Sequence, residues 1–306
     1  MSAAATAPGG SRRRVAVAAS ARYPDLREDW PIQRDAMAAL GLDATTAVWT
    51  DREVRWDEYG LVVANGAWDN IHRPAEFLEW VDLVADTGVP IVNSPATLRW
   101  NIDKRYLGDL AAAGVPTVPT TWVAAGQVVA AARVELPEGE VVVKPAVSGG
   151  GFRTARYPAA EHDRARAHVA DLVSAGSTAM IQPYQTSVDA AGEVGVVVLG
   201  GVVSHAISKG PMIRRGIGAR DTLVGNELIR PASPDAGQLD AAVGALAAAE
   251  VVYGPTAYAR VDLVRLEDGS PAVLELELLD PALFFEHHPE GARHFARVLR
   301  DRIQAG

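Results

Sequence analysis

The sequence predicts a mixed fold, α/β in its first third and α+β afterwards. Three observations carry that prediction. Strand-like and helix-like segments alternate from Arg14 to Ser94, which implies a parallel sheet with helices on its faces. A short β-rich stretch follows and contains a glycine triplet, Gly149 to Gly151. Near the C-terminus two long strand patterns are joined by the turn "EDGS", the signature of an antiparallel hairpin. The 306 residues are enough for two or three packed units.

Taken in order, "MSAAATAPGGSRRR" is small, flexible and then basic, and residues 1–13 are expected to form a disordered leader. The following "VAVAAS" is too short for the apolar core of a signal peptide, and no stretch approaches membrane-spanning length. "RVAVAAS" reads as a buried strand, "IQRDAMAALG" as a helix stopped by Gly41, and "LVVAN" as the next strand. "AEFLEWVDLVADTG" is an amphipathic helix closed by Gly88, and "PIVNS" a further strand. "NIDKRYLGDLAAAG" predicts one helix, starting near Asn101 or Asp103 and stopping at Gly114. "VPTVPTTW" predicts an extended connector. Then come "EVVVKP", the glycine loop, "TARYP", a helix over 161–175 and "AMIQPY". "VGVVVLGG" and "VVSHAIS" predict a hairpin. A helix over 236–251, the strands "TAYARVDLVRL" and "PAVLELELL", and a closing helix complete the chain.

Composition narrows the function. A formal net charge of −9 argues against a nucleic-acid surface. There are no cysteines, which excludes disulfides and thiolate metal sites and fits a reducing cytoplasm. No G-x-G-x-x-G follows the first strand, and no G-x-x-x-x-G-K is present. Any phosphate must therefore be handled elsewhere.

"VVVKPAVSGGGFRTARY", Val141 to Tyr157, admits two readings. One is a plain flexible hairpin. The other is an anion-binding flap, in which glycines let backbone N–H groups approach a phosphate and Lys144 adds a point charge. The hairpin near the C-terminus favours the second. Arg260 and Asp262 are two apart and share one face, as do Glu275 and Glu277, with Leu274, Leu276 and Leu278 opposite. Three carboxylates in apolar strands need a partner, because burying them unpaired costs several kcal/mol each. A hard divalent cation is one candidate partner. An acidic face that is solvated or paired with Arg260 is the other.

Further candidates are weaker patterns. Asn65, Trp68 and Asp69 of "ANGAWDN" follow a strand, where ligands bind in open α/β sheets; an ordinary turn reads equally well. Arg214, Arg215 and Arg220 form either a solvated charge cluster or a loop that closes on carboxylate or phosphate. His287 and His288 read as loop or helix-start residues, since neighbouring side chains diverge on regular structure.

From Asn101 to Phe285 the ordered set of motifs resembles the ATP-grasp superfamily. The resemblance implies a preceding α/β domain over 14–97, a lid subdomain with its connecting helix over 98–185, and a C-terminal subdomain over 186–306, with ATP held between the last two. It implies that Lys104 and Lys144 contact nucleotide, and that Ser148, Gly149, Gly150, Gly151 and Phe152 form the phosphate flap. Gln182 and the main chain around Tyr184 would recognise adenine, and Asp189 the ribose. Lys209 and Arg260 would act on the transferred phosphate. Asp262, Glu275 and Glu277 would bind Mg²⁺. Glu277 departs from the family, where asparagine is common, so one glutamate is open to a substrate role. "WDNIHRPAEFLEWVD", "VNSPATLRWNIDKRYLGDLAAAGVPTVPT" and "LELELLDPALFF" are similar to the cyclo-ligases that act on O-ureido-serine in cycloserine formation. The implied activity is ATP-dependent activation of a small amino-acid-like carboxylate as an acyl phosphate, with attack by a nitrogen of the same or a second molecule. A nucleotide-binding module without turnover is the alternative of another class. Expected partners are that small molecule alone, with neither nucleic acid nor membrane; self-association is left open.

Overall fold

Three sheets divide the chain. The computed structural model describes residues 13–26, 29–211, 213 and 228–305. The expected leader, apart from Arg13, and Arg214, Arg215 and Arg220 lie outside the described residues. The first sheet is parallel, in the order β2-β1-β3-β4, with β1 Arg14–Ala19, β2 Asp43–Val48, β3 Leu61–Gly66 and β4 Ile91–Val92. Helix α1 (Asp29–Ala38) covers one face and α2 (Pro74–Asp86) the other, so β1 is buried on both sides.

The helix predicted from Asn101 or Asp103 to Gly114 starts later, and a separate helix precedes it. Helix α3 (Pro95–Asn101) is capped by Ser94, whose hydroxyl accepts from the Thr97 amide, and α4 spans Tyr106–Ala112. Asn101 therefore ends a helix rather than starting one. The break between them carries Lys104, whose amide donates to the Ala146 carbonyl at 2.9 Å. Tertiary bonding here overrides the helical periodicity of the sequence.

The second sheet is antiparallel, ordered β5-β8-β6-β7, from β5 Thr121–Val123, β6 Val141–Pro145, β7 Ala155–Tyr157 and β8 Ala179–Pro183. Helices α5 (Val128–Ala132) and α6 (His162–Ser174) pack on it. Helix α7 (Ser187–Ala191) leads into the third sheet. That sheet is antiparallel, ordered β11-β10-β9-β12-β13, from β9 Glu193–Leu199, β10 Val202–Lys209, β11 Ile229–Pro231, β12 Tyr258–Arg265 and β13 Pro271–Glu277. One face is covered by α8 (Ala236–Tyr253). The closing helix α9 (Pro289–Ala305) sits between the first and third sheets: Phe295 and Leu299 share a core with Val15, Val17, Val197 and Tyr258.

The free edge of β13 decides how rigid the site is. Its outward-facing main-chain groups are nearly all bonded by residues far earlier in the chain. Tyr106 Oη accepts from the Leu276 amide at 3.0 Å, and Asn101 takes the Leu276 carbonyl at 2.8 Å and the Leu278 amide at 2.7 Å. Asn93 donates to the Leu278 carbonyl at 2.8 Å, and Val273 bonds with Pro116 and Val118. Three side chains and one extended segment thus close an edge that would otherwise be open to pairing.

Candidate nucleotide and carboxylate site

A cleft of about 320 Å³ lies where the three sheets meet. Its floor is built by period-two alternation on β12 and β13. Asp262 pairs in register with Glu275, and Arg260 with Glu277, so all four side chains rise from one face. Across β12, Asp262 lies opposite Gly195. A Cβ at Gly195 would come within 2.9 Å of Asp262 Oδ1 and 3.2 Å of Arg260 Cδ, so only glycine leaves room for this pair.

The floor is a network of matched charges. Asp262, 1% exposed, takes Arg260 Nε and Nη2 at 2.8 and 2.9 Å and Lys209 Nζ at 2.8 Å. Lys209 also meets Glu193 at 3.0 Å, Lys104 meets Glu275 at 2.9 Å, and Arg260 bonds Glu277 and the Ala282 carbonyl. Burial works against the Asp262 carboxylate, but Arg260 and Lys209 outweigh it and hold its pKa well below the usual range. Lys209 is likewise held above the usual lysine range, burial being overcome by Asp262 and Glu193. Glu277 goes the other way: burial and its neighbours Glu275 and Asp262 raise it to about 8, against the pull of Arg260.

One oxygen from each of Asp262, Glu275 and Glu277 lies within 4.8 Å of the others. The donor set is all oxygen, which suits a hard cation. Glu277 is raised first by burial and then by the crowding of Glu275 and Asp262, and a cation among the three would relieve that crowding. These residues fit a magnesium ion.

The opposite wall is the small sheet and its loop. Lys144 on β6 is 8% exposed, and burial pulls its pKa down. Among the described residues it has no carboxylate at ion-pair distance. Gly149, Gly150 and Gly151 line the cleft beside Ser148, with Gly150 and Gly151 at φ +54° and +75°. Their three N–H groups donate to nothing among the described residues. Ser148 is pinned by its hydroxyl to the Pro145 carbonyl at 2.9 Å, and its carbonyl accepts from Lys104. Phe152 does not line the cleft; its ring meets His72 edge-on at 4.7 Å, joining the loop to the first unit. Gln182 is in the lining and donates to Thr120 Oγ1 at 3.0 Å. Tyr184 lines the cleft too, with its amide bonded to the Glu140 carbonyl at 2.8 Å. Asp189 is outside the lining, where it accepts from Arg156 at 3.0 and 2.9 Å and from Tyr184 Oη at 2.6 Å.

The three candidates of "ANGAWDN" separate. Trp68 lines the cleft and donates its indole N–H to the Asp280 carbonyl at 3.2 Å. Asn65 is outside the lining, its amide bonded to the Pro281 carbonyl at 2.7 Å. Asp69 is also outside, accepting from the Trp49 indole at 2.6 Å. A position beyond a strand end put these residues near the site, but their orientation depends on partners that spacing does not show. His287 and His288 are also absent from the lining; His288 stacks on His205 at 4.8 Å. Sequence reasoning missed Glu193, Gly195, Asn70 and Asp280. Asp280 had a readable signal, an acid three residues after the alternating strand in "LELELLD".

Residues 15–93 match the family described as D-cycloserine synthetase DcsG, N-terminal domain. The chain is 39% identical over 284 residues to the cycloserine biosynthesis protein DcsG of Streptomyces lavendulae, across 90% of this chain and 94% of that protein. The crystal structure of D-cycloserine synthetase DcsG superposes with a TM-score of 0.86 at 37% identity, over 95% of this chain and 99% of that one. D-alanine–D-alanine ligase from Bacillus anthracis, solved with ATP, shares the fold with a TM-score of 0.61 at 14% identity, over 96% of each chain. No helix among the described residues is long and apolar enough to cross a membrane. The matched fold and the likeness along nearly the whole chain give one conclusion: the chain belongs to the DcsG family of ATP-grasp ligases.

Proposed function

We propose that the protein activates the carboxylate of O-ureido-serine with ATP and closes it to cycloserine. The observation that carries this reading is the pairing of an unmatched buried lysine and free loop amides on one wall with a crowded carboxylate trio on the other, in a chain 39% identical to a cycloserine biosynthesis protein. Lys144 and the N–H groups of Gly149, Gly150 and Gly151 supply positive charge for a triphosphate. Gln182 and the main chain around Tyr184 border the space for the base, and Asp189, outside the lining, is the candidate for the sugar.

Asp262, Glu275 and Glu277 would hold magnesium, which supplies charge neutralisation between the phosphates. Arg260 and Lys209, already fixed by hydrogen bonds, stabilise the transferring phosphoryl group without reorganising. A carboxylate oxygen attacks the γ-phosphorus, ADP leaves, and an acyl phosphate forms. The nitrogen bonded to oxygen in the same molecule then attacks the acyl carbon and expels phosphate. Release of free cycloserine also needs hydrolytic loss of the carbamoyl group. Holding both ends in one pocket replaces an encounter by a unimolecular closure, and the loop keeps water from the acyl phosphate.

Incubation with ATP, Mg²⁺ and O-ureido-serine, followed by nucleotide chromatography and mass spectrometry, tests the reading. ADP, phosphate and a product derived from one substrate molecule are expected. A product joining two molecules would leave ligation standing and overturn cyclisation, and AMP would overturn both.

A further inference from the structure

The acidic side chains of the cleft are matched to cations with one exception. Asp262, Glu275, Glu277 and Glu193 each meet an arginine or lysine. Asp280, three residues beyond Glu277, lines the same cleft and forms no ion pair among the described residues. Its partners are neutral. Oδ2 accepts from Asn70 Nδ2 at 2.6 Å, and its carbonyl takes the Trp68 indole. Asn70 is itself locked, since Nδ2 also donates to the Ala67 carbonyl at 2.7 Å and only 2% of the residue is exposed. Oδ1 has no partner among the described residues. Burial raises the group to about 6, so it is mostly ionised at neutral pH although desolvated. A carboxylate held this way at a binding wall is costly unless a ligand brings the cation.

Its place indicates which cation. Lys144, Gln182 and Tyr184 come from the small sheet, whereas Asp280 comes from the loop after β13 and is steadied by the first unit. The reacting carboxylate must reach Arg260 and the carboxylate trio; Glu277 lies three residues before Asp280, and the charge of Arg260 acts on Asp280. An α-amino acid carries its ammonium group one carbon from that carboxylate. We propose that Asp280, oriented by Asn70, binds the ammonium group of the amino-acid substrate and so selects α-amino acids over plain carboxylic acids. This rests on the reading that the substrate is an amino acid activated at its carboxylate.

The test compares O-ureido-serine with 3-(ureidooxy)propanoate, which lacks the amino group, by steady-state ADP release. Asp280→Asn keeps the size and loses the charge. It is expected to lower kcat/KM for O-ureido-serine by about 30-fold, the loss of one charge-assisted hydrogen bond. The KM for ATP and the kcat/KM for the des-amino compound should stay at wild-type values. Asp280→Glu, which keeps the charge, is expected to retain most of the preference for the amino acid, and serves if the asparagine variant does not fold. Equal losses on both compounds, or a rising KM for ATP, would make Asp280 a structural residue and overturn the inference. Absence of ADP release by the wild type with O-ureido-serine would overturn the functional reading and this inference with it.

Discussion

The two walls of the cleft treat charge in opposite ways. On the five-stranded floor the cleft-lining cations Arg260 and Lys209 are each fixed by two carboxylates. On the wall built by the sheet of β5 to β8, Lys144 has none among the described residues, and the loop beside it offers three N–H groups that donate to nothing among them. The floor is therefore set before ligand arrives, as electrostatic stabilisation of a phosphoryl transfer requires. The opposite wall is a set of donors unsatisfied among the described residues, which suits an anion. Substitutions on the two walls should differ in kind: those on the floor cost folding free energy as well as activity, and those on the lid cost binding.

The largest effect is expected at Asp262. Asp262→Ala leaves the buried Arg260 and Lys209 with one carboxylate each, Glu277 and Glu193, and breaking such a network costs about 3–5 kcal/mol of stability. Urea unfolding of the nucleotide-free protein measures it. A midpoint equal to wild type would dissolve the distinction between the walls.

Glu275→Gln is milder for the fold, because the amide still bonds Lys104 and crowding is relieved. Stability should change by roughly 1 kcal/mol or less, while turnover at limiting magnesium falls about 100-fold through the lost metal ligand. Wild-type turnover under those conditions would remove Glu275 from the metal site. Lys144→Ala sharpens the contrast. It deletes an unmatched buried cation, so stability should hold within about 1 kcal/mol. ATP affinity by calorimetry should drop about 10- to 50-fold. Unchanged affinity in the folded variant would refute the assignment of the lid wall to phosphate.

The remaining effect is in pH. Glu277 is raised from 4.5 to about 8 in the folded chain, so the native state holds a proton that the unfolded chain releases. Its contribution to stability is full below about pH 4.5 and is lost as the pH rises through about 8. Asp29, raised to about 8, and Asp280, raised to about 6, act in the same direction. Without metal, wild type should lose stability from pH 6 to 9, and Glu277→Gln should lose less. Identical slopes would place the proton elsewhere.

The floor was largely legible in the sequence because strand alternation is local: "ARVDL" and "LELEL" show which side chains share a face without any knowledge of the rest. The glycine loop was legible for the same reason. Other features depend on distant partners. Strand β2, "DATTAV", escaped because its threonines and alanines make no apolar run. The helix break at Lys104 escaped because the hydrogen bond from its amide to the Ala146 carbonyl joins residues 42 apart in sequence. Asn70 and Asp280 are 210 residues apart in sequence and meet only when the first and third sheets pack. Asn65 was drawn into the candidate pocket by its place at a strand end, yet its amide is committed to Pro281.

The central claim is that the substrate carboxylate takes the γ-phosphoryl group before nitrogen attacks. O-ureido-serine labelled with ¹⁸O in both carboxylate oxygens tests this most directly, with the released phosphate examined by mass spectrometry. The account predicts one labelled oxygen in each phosphate, carried over when the acyl phosphate is opened. Phosphate free of label, formed at the rate of product, would contradict it.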